Sequence, residues 1–300
     1  MDETGRTVPE VAAFARGSER GWRAILNALV GFQLLAREGD RYTTTPESST
    51  FLVRTKPAFQ GDLMRRVTHF LREGWLDLDE IVRTGKPAQR VNDAGDGQKY
   101  FEGFVTDLFP FSYAPAMVLG QHLGLAQAQE DIHVLDIAAG SGAWGIALAQ
   151  QSPRVKVTAV DWPGVLPITR KHVAKFDLDA QFSYLAGDIL GVDFPPGQDI
   201  VILGHIFHSE GEARSRQLLQ KLHAAIKPGG TVAIAEFTPN AERTGPPIAL
   251  IFAVNMLVTS ELGDTYPFVE VASWLKDAGF GNARELPAPG PAPLILATRL

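Results

Sequence analysis

Apolar positions change rhythm twice along this chain. Ala24, Ile25, Ala28 and Leu29 recur at i, i+1, i+4 and i+5, the spacing of one helix face. Leu34 and Leu35 follow, and Glu38, Gly39 and Asp40 then mark a turn. Arg41, Tyr42, Thr43, Thr44 and Thr45 read as an exposed, β-branched strand, with Phe51, Leu52 and Val53 as its apolar partner. Helices closed by a two-stranded wing predict a winged-helix region over roughly residues 9–54.

Residues 56–130 read as helical and aromatic. Tyr100, Phe101, Phe104, Phe109, Phe111 and Tyr113 form the densest aromatic run, supplying core and some wall for a planar ligand. Residues 93–97, Asp-Ala-Gly-Asp-Gly, read as a loop. From Ile132 strands and helices alternate, the signature of an α/β layer fold. Strands are expected at 133–138, 155–160, 200–203, 231–237 and 294–297, with helices at 143–150, 165–176, 212–226 and 269–278. The short strands are rich in Val and Ile, as in a parallel sheet buried on both faces. The boundary is placed between residues 125 and 126.

Composition narrows the classes. Hydrophobic residues make up 45% and charged residues 21%, ordinary for a globular protein, and 300 residues suffice to bury a core without staples. There is no cysteine, so disulfides, thiolate metal sites and cysteine nucleophiles are excluded. The polar, acidic start is not a signal peptide, and the apolar stretch 248–258 is too short to span a bilayer. A cytoplasmic protein is expected, with no membrane partner. Net charge is −6, and residues 1–54 hold seven Arg against seven Asp or Glu. That neutrality disfavours nucleic acid and favours a packing or dimerisation module.

The chemistry gathers behind the first α/β strand. Asp136-Ile-Ala-Ala-Gly140-Ser-Gly142-Ala-Trp-Gly145 carries G-x-G-x-x-G at a strand-to-helix turn. Such glycines let the chain turn sharply and let a ligand approach the main chain. Asp161 follows Gly140 by 21 residues and ends the next strand, where a carboxylate can accept from both ribose hydroxyls. These features alone suit NAD or S-adenosylmethionine (SAM). Asp136, four residues before Gly140, would repel a pyrophosphate but suits a cationic amino-acid ligand. Asp188 can accept from an adenine amino group while Ile189 packs on the ring, and Lys227-Pro-Gly-Gly230 leads into a further strand. Together they favour SAM.

The ordered motifs resemble those of class I SAM-dependent methyltransferases, and more narrowly the dimeric small-molecule O-methyltransferases, the plant caffeic-acid type and its bacterial relatives. The resemblance runs from about residue 10 to the end. It rests on 134–145, on the ribose turn Val160-Asp161-Trp162-Pro163-Gly164-Val165, on the adenine turn 186–189, on 227–236 and on Ala278-Gly279-Phe280. It implies a doubly wound, mostly parallel Rossmann-like SAM-binding sheet behind a helical, winged-helix-like dimerisation and substrate-lid region, with the family's N-terminal dimerisation helices shortened. It also implies a homodimer, SAM as cofactor, and a small aromatic or polyketide-like acceptor.

In that family a histidine after the fourth strand deprotonates the acceptor hydroxyl, and the matching residue is His208. Chemistry supports this independently. A phenol is mostly protonated at neutral pH, and a histidine can take the proton as transfer proceeds, worth about 10²–10⁴ in rate. Glu236, 28 residues later, matches the glutamate that orients the base. His205 is expected to line the SAM pocket. It could pair with His208 at i, i+3 as metal ligands, but no nearby acid ligand is evident from the sequence and no metal is expected. Cofactor contacts are expected from Asp136, Gly140, Gly142, Asp161, Trp162, Asp188, Ile189 and His205, and acceptor contacts from Phe104, Phe252, Asn255 and Met256.

The chain departs from the family pattern. Ser209-Glu210 replaces Asp-Trp after the base, Gly204 replaces a SAM-contacting lysine, and Thr265 takes the position of the family's second orienting glutamate. The same scaffold could methylate carbon or nitrogen, or use SAM for another reaction.

Overall fold

The computed structural model describes residues 4–56, 58–62, 71, 74–88 and 96–300. Its contacts divide the chain into two compact units, Met1–Thr68 and His69–Leu300.

The first unit begins with β1 (Arg6–Thr7) and α1 (Val8–Phe14). Thr7 caps α1 reciprocally: its hydroxyl accepts from the Glu10 N–H, and the Glu10 carboxylate accepts from the Thr7 N–H. Helix α2 (Glu19–Gly31), β2 (Leu35–Glu38), β3 (Arg41–Thr44) and α3 (Pro46–Phe51) follow. The strands pair antiparallel in the order β1-β3-β2. Val8, Val11, Leu26, Leu35 and Tyr42 form the core.

Two expectations fail here. The wing is the hairpin β2–β3 extended by β1, not strands at 41–45 and 51–53. Gly39, with φ 59°, reverses the chain so that Leu35 pairs Thr44. Thr45 then caps α3 through the Ser48 N–H, and Pro46 opens the helix, so Phe51 is helical. Tyr42 is not exposed: it is buried, and its hydroxyl donates to Asn27 Oδ1 at 2.7 Å.

The second unit opens with α4 (Leu78–Thr84), α5 (Asp96–Glu102) and α6 (Phe109–His122). Of the loop expected at 93–97, residues 93–95 lie outside the described residues, while 96 and 97 begin α5. Then come β4 (Ile132–Ile137), α7 (Ala143–Ala149), β5 (Val155–Asp161), α8 (Leu166–Lys175), β6 (Phe182–Ala186), β7 (Gln198–Gly204), α9 (Phe207–Ala225) and β8 (Ile226–Ala235). Helices α10 (Pro247–Thr259) and α11 (Phe268–Asp277) precede β9 (Phe280–Leu286) and β10 (Leu294–Arg299). Helix α6 packs on α7, and both belong to the second unit.

The sheet order is β6-β5-β4-β7-β8-β10-β9, parallel from β6 to β8, with β10 antiparallel to both neighbours. Side chains alternate between two cores. Leu135, Ile137, Val201, Leu203 and Ile234 face Leu218, Leu222 and Trp274, whereas Val134, Ile200, Ile202 and Ala233 face Leu119, Ile146 and Leu148. Strand β4 pairs β5 on one side and β7 on the other, so the order reverses there. Open α/β sheets bind ligands at the carboxyl ends of strands flanking such a point.

Helix α9 starts five residues before its expected position. Its first turn escapes an amphipathic search because Phe207, Ser209 and Glu210 are all buried. Gly211, at φ 77°, then kinks the helix. Among the described residues, no helix is long and apolar enough to cross a membrane.

Candidate active site

The loop between β4 and α7 sits at the switch point. Gly142, with φ 77°, caps α7, and a Cβ there would lie 2.9 Å from Thr169 Cγ2. Gly145 lies where helix meets strand: a Cβ would come within 2.8 Å of Val157 Cγ1 and 3.0 Å of Asp136 Oδ2. The Gly145 N–H instead donates to Asp136 Oδ2 at 3.0 Å. Asp136 Oδ1 is buried with no hydrogen-bond partner among the described residues. Burial pushes the Asp136 carboxyl up to about 7, the Gly145 hydrogen bond opposes this, and nearby Asp161 adds to it. At the end of β5, Asp161 accepts from the Gly140 N–H and the Trp162 N–H, each at 2.7 Å. Burial pushes Asp161 up to about 6 against those bonds.

Beyond β7 and β8 lies a second polar group. His208 Nδ1–H donates to Glu236 Oε2 at 2.7 Å, and only 12% of the His208 side chain and 5% of the Glu236 side chain are exposed. A carboxylate can only accept, so Nδ1 carries the proton, and in the neutral imidazole the lone pair is then on Nε2. Glu236 Oε1 also accepts from the Phe207 N–H at 2.6 Å and the His208 N–H at 3.4 Å. Burial would raise Glu236, but the His208 charge and hydrogen bond, His205 and the Phe207 N–H together hold it below the usual carboxylate range. His205 donates its backbone N–H to Ala235 O at 2.8 Å and adopts φ 63°. Burial pulls its imidazole down to about 4, so it stays neutral at pH 7. One ligand atom each from His205, His208 and Glu236 lie within 4.8 Å of one another. An acid therefore does join the two histidines, brought from a strand 28 residues downstream.

Aromatic rings wall this group. Phe252 meets His208 edge-on at 4.8 Å and stacks on Phe237 at 3.8 Å. Phe111 lies 5.2 Å from His205 and 6.0 Å from Phe237. Phe237 carries no separate signal in the sequence, where it continues the apolar run 231–237, but the strand stops at Ala235. Trp144 likewise carries no separate signal between the glycines of its loop. Its indole Nε1 lies where a Cβ at position 204 would go, which accounts for glycine there.

The remaining expected residues make the following contacts. Phe104 packs on Tyr100 and Phe101, and Phe101 reaches Trp162 at 5.9 Å, so this cluster stands on the Asp161 side. Asn255 Oδ1 accepts from Trp75 Nε1 at 3.1 Å, and Met256 is buried. Ile189 is in the core with Leu135 and Val160. Asp188 Oδ1 accepts from the Leu190 N–H and Oδ2 from Arg214, which also binds buried Glu210 at 2.5 Å. Thr265 is buried, and it is the neighbouring Asp264 N–H that donates to His208 O at 3.0 Å.

Residues 116–281, over half of the chain, match the family described as the O-methyltransferase domain. The chain belongs to that family. It is 31% identical over 281 residues to a 3-hydroxy-5-methyl-1-naphthoate 3-O-methyltransferase of Streptomyces sahachiroi, covering 92% of this chain and 80% of that one. It is 30% identical to a tetracenomycin polyketide synthesis 8-O-methyl transferase of Streptomyces glaucescens, covering 93% and 83%. The crystal structure of human N-acetylserotonin methyltransferase in complex with SAM shares the fold, with a TM-score of 0.80 at 22% identity over 98% of this chain and 87% of that one. The protein is thus a SAM-dependent methyltransferase. Its own residues fit SAM. The unpaired Asp136 Oδ1 and the Asp161 carboxylate, held at the glycine loop by the Gly140 N–H, offer acceptors to its ammonium and ribose groups.

Asp136 also sets a pH dependence. Its folded value near 7 exceeds its unfolded value near 4, so between these the folded chain holds a proton that the unfolded chain has lost. Stability of the ligand-free protein therefore falls as pH rises through that window, by up to about 4 kcal/mol from this group. Asp136→Asn can keep the Gly145 bond without a charge. Urea denaturation at about pH 5 and about pH 8 should show a smaller decline for the variant. Equal declines would contradict the assignment.

Proposed function

We propose that this methyltransferase moves the methyl group of SAM to a hydroxyl of a small aromatic or polyketide-like molecule, with His208 as general base and Glu236 as its positioning carboxylate. The buried 2.7 Å hydrogen bond between them carries the reading. The names of the two Streptomyces relatives, which act on a hydroxynaphthoate and in tetracenomycin polyketide synthesis, support an acceptor of this class.

When bound, SAM supplies an electrophilic methyl group on a sulfonium. Asp161 would accept from the ribose hydroxyls with lone pairs left free by the Gly140 and Trp162 bonds. Asp136 and the backbone of the glycine loop would hold the amino-acid portion. Phe111, Phe237 and Phe252 hold a planar acceptor and exclude water. His208 Nε2 receives the acceptor's hydroxyl proton, while Glu236 fixes the tautomer and stabilises the imidazolium. His205 stays neutral, so the forming imidazolium meets no second positive charge.

With a hydroxynaphthoate acceptor, His208→Ala should lower kcat about 10²–10⁴-fold and Glu236→Gln about 10²-fold. Both should keep S-adenosylhomocysteine binding in calorimetry, which Asp161→Ala should weaken roughly 10–100-fold. Full kcat in His208→Ala would refute the role of the base. Unaltered binding in Asp161→Ala would refute the cofactor assignment.

We further propose a homodimer formed through the first unit, whose Phe14 and Phe32 are 78% and 76% exposed. Light scattering should give a dimer, and Phe14→Glu combined with Phe32→Glu should give a monomer. A monomeric wild type would contradict this.

A further inference from the structure

We propose that His205, His208 and Glu236 form a site for a divalent transition-metal ion of the zinc class, and that an ion there switches methyl transfer off. The binding stands on the side chains alone. Only the switching rests on the function proposed above.

The first observation is the donor set. Two imidazoles and a carboxylate form a zinc-type set that leaves a fourth position open. One ligand atom from each residue lies within 4.8 Å of the others, and His208 Nδ1 and Glu236 Oε2 are already 2.7 Å apart. Ligand atoms around a tetrahedral zinc ion stand about 3.3 Å apart, so side-chain movements of about 1–2 Å complete the site.

The second observation is His205 itself. Its Nδ1 is sealed from solvent and meets no hydrogen-bond partner among the described residues. A buried polar atom left unpaired is costly unless a ligand meets it. Its backbone is held at φ 63°, a left-handed conformation that strains a histidine. The backbone bond to Ala235 and the rings of Phe111 and Phe237, at 5.2 and 5.5 Å, hold the imidazole beside the base. Methyl transfer with one base does not require a second imidazole there.

The switch follows from proton bookkeeping. In the metal-free pair the His208 proton is on Nδ1 and the lone pair on Nε2. Coordination through Nδ1 sends that proton through solvent to Nε2. The imidazole remains neutral, no proton is lost overall, and the lone pair that would accept the hydroxyl proton is gone.

Calorimetry with Zn²⁺ alone, on chelator-treated protein without SAM or acceptor, tests the binding. One ion per chain is expected, with affinity at least 50-fold weaker in both His205→Phe and His205→Asn. Asparagine tolerates the left-handed backbone, so that variant guards against misfolding. Co²⁺ on the wild-type protein should give the intense visible bands of a tetrahedral site. Absence of stoichiometric binding, equal affinity in the variants, or a weak octahedral Co²⁺ spectrum would each overturn the site. If Zn²⁺ binds at this site but leaves turnover unchanged, the switch fails. If His208→Ala retains full activity, it is the proposed base that fails.

Discussion

A carboxylate removed from water must be met by donors or it will not stay ionised. Glu236 is such a group, and the site is arranged around meeting it. Helix α9 begins after Ile206, whose side chain cannot cap, so its first N–H groups need an outside acceptor. Glu236, from the end of β8, takes the N–H groups of Phe207 and His208 and the ring N–H of His208. One side chain thus completes a helix, ties it to the neighbouring strand and fixes a histidine tautomer. The positive end of the helix also favours the negative charge.

The sheet puts this pair opposite the cofactor loop. Register places Ile137 beside Leu203 and Gly204 beside Ala235, so Ala138, His205 and Glu236 leave their strands at one edge. Asp161 leaves β5 at the same edge. Polar groups too costly to bury inside a parallel sheet collect where its strands end, and two ligands can meet there. Trp144, pressed against Gly204, fills space between the glycine loop and the histidines.

Much of this was legible in the sequence because the signals were local. Runs such as Val134-Leu135 and Val201-Ile202-Leu203 can be buried on both faces only in a parallel sheet, and the glycine loop with Asp161 follows the rhythm of strand and helix. The Glu236–His208 pairing was reached through ordered motifs rather than spacing. What the sequence hid depends on three-dimensional neighbours. The first turn of α9 has no amphipathic period because all its sides are buried. The strand β3 looked exposed because Tyr42 alternates with polar residues, although it buries its ring and satisfies its hydroxyl on Asn27. Phe104 and Phe111 are equivalent in composition, yet one stands by Trp162 and the other by His205. Asp188 reads as a free acceptor until Arg214 is seen to reach it from α9.

The central claim is that Glu236 holds His208 as a base with its free lone pair on Nε2. Nitrogen-15 NMR of histidine-labelled, metal-free protein at about pH 8 addresses this directly, with the His208 signals identified by their loss in His208→Ala. The account predicts a protonated Nδ1 and a bare Nε2. A proton found on Nε2, with Nδ1 bare, would contradict it.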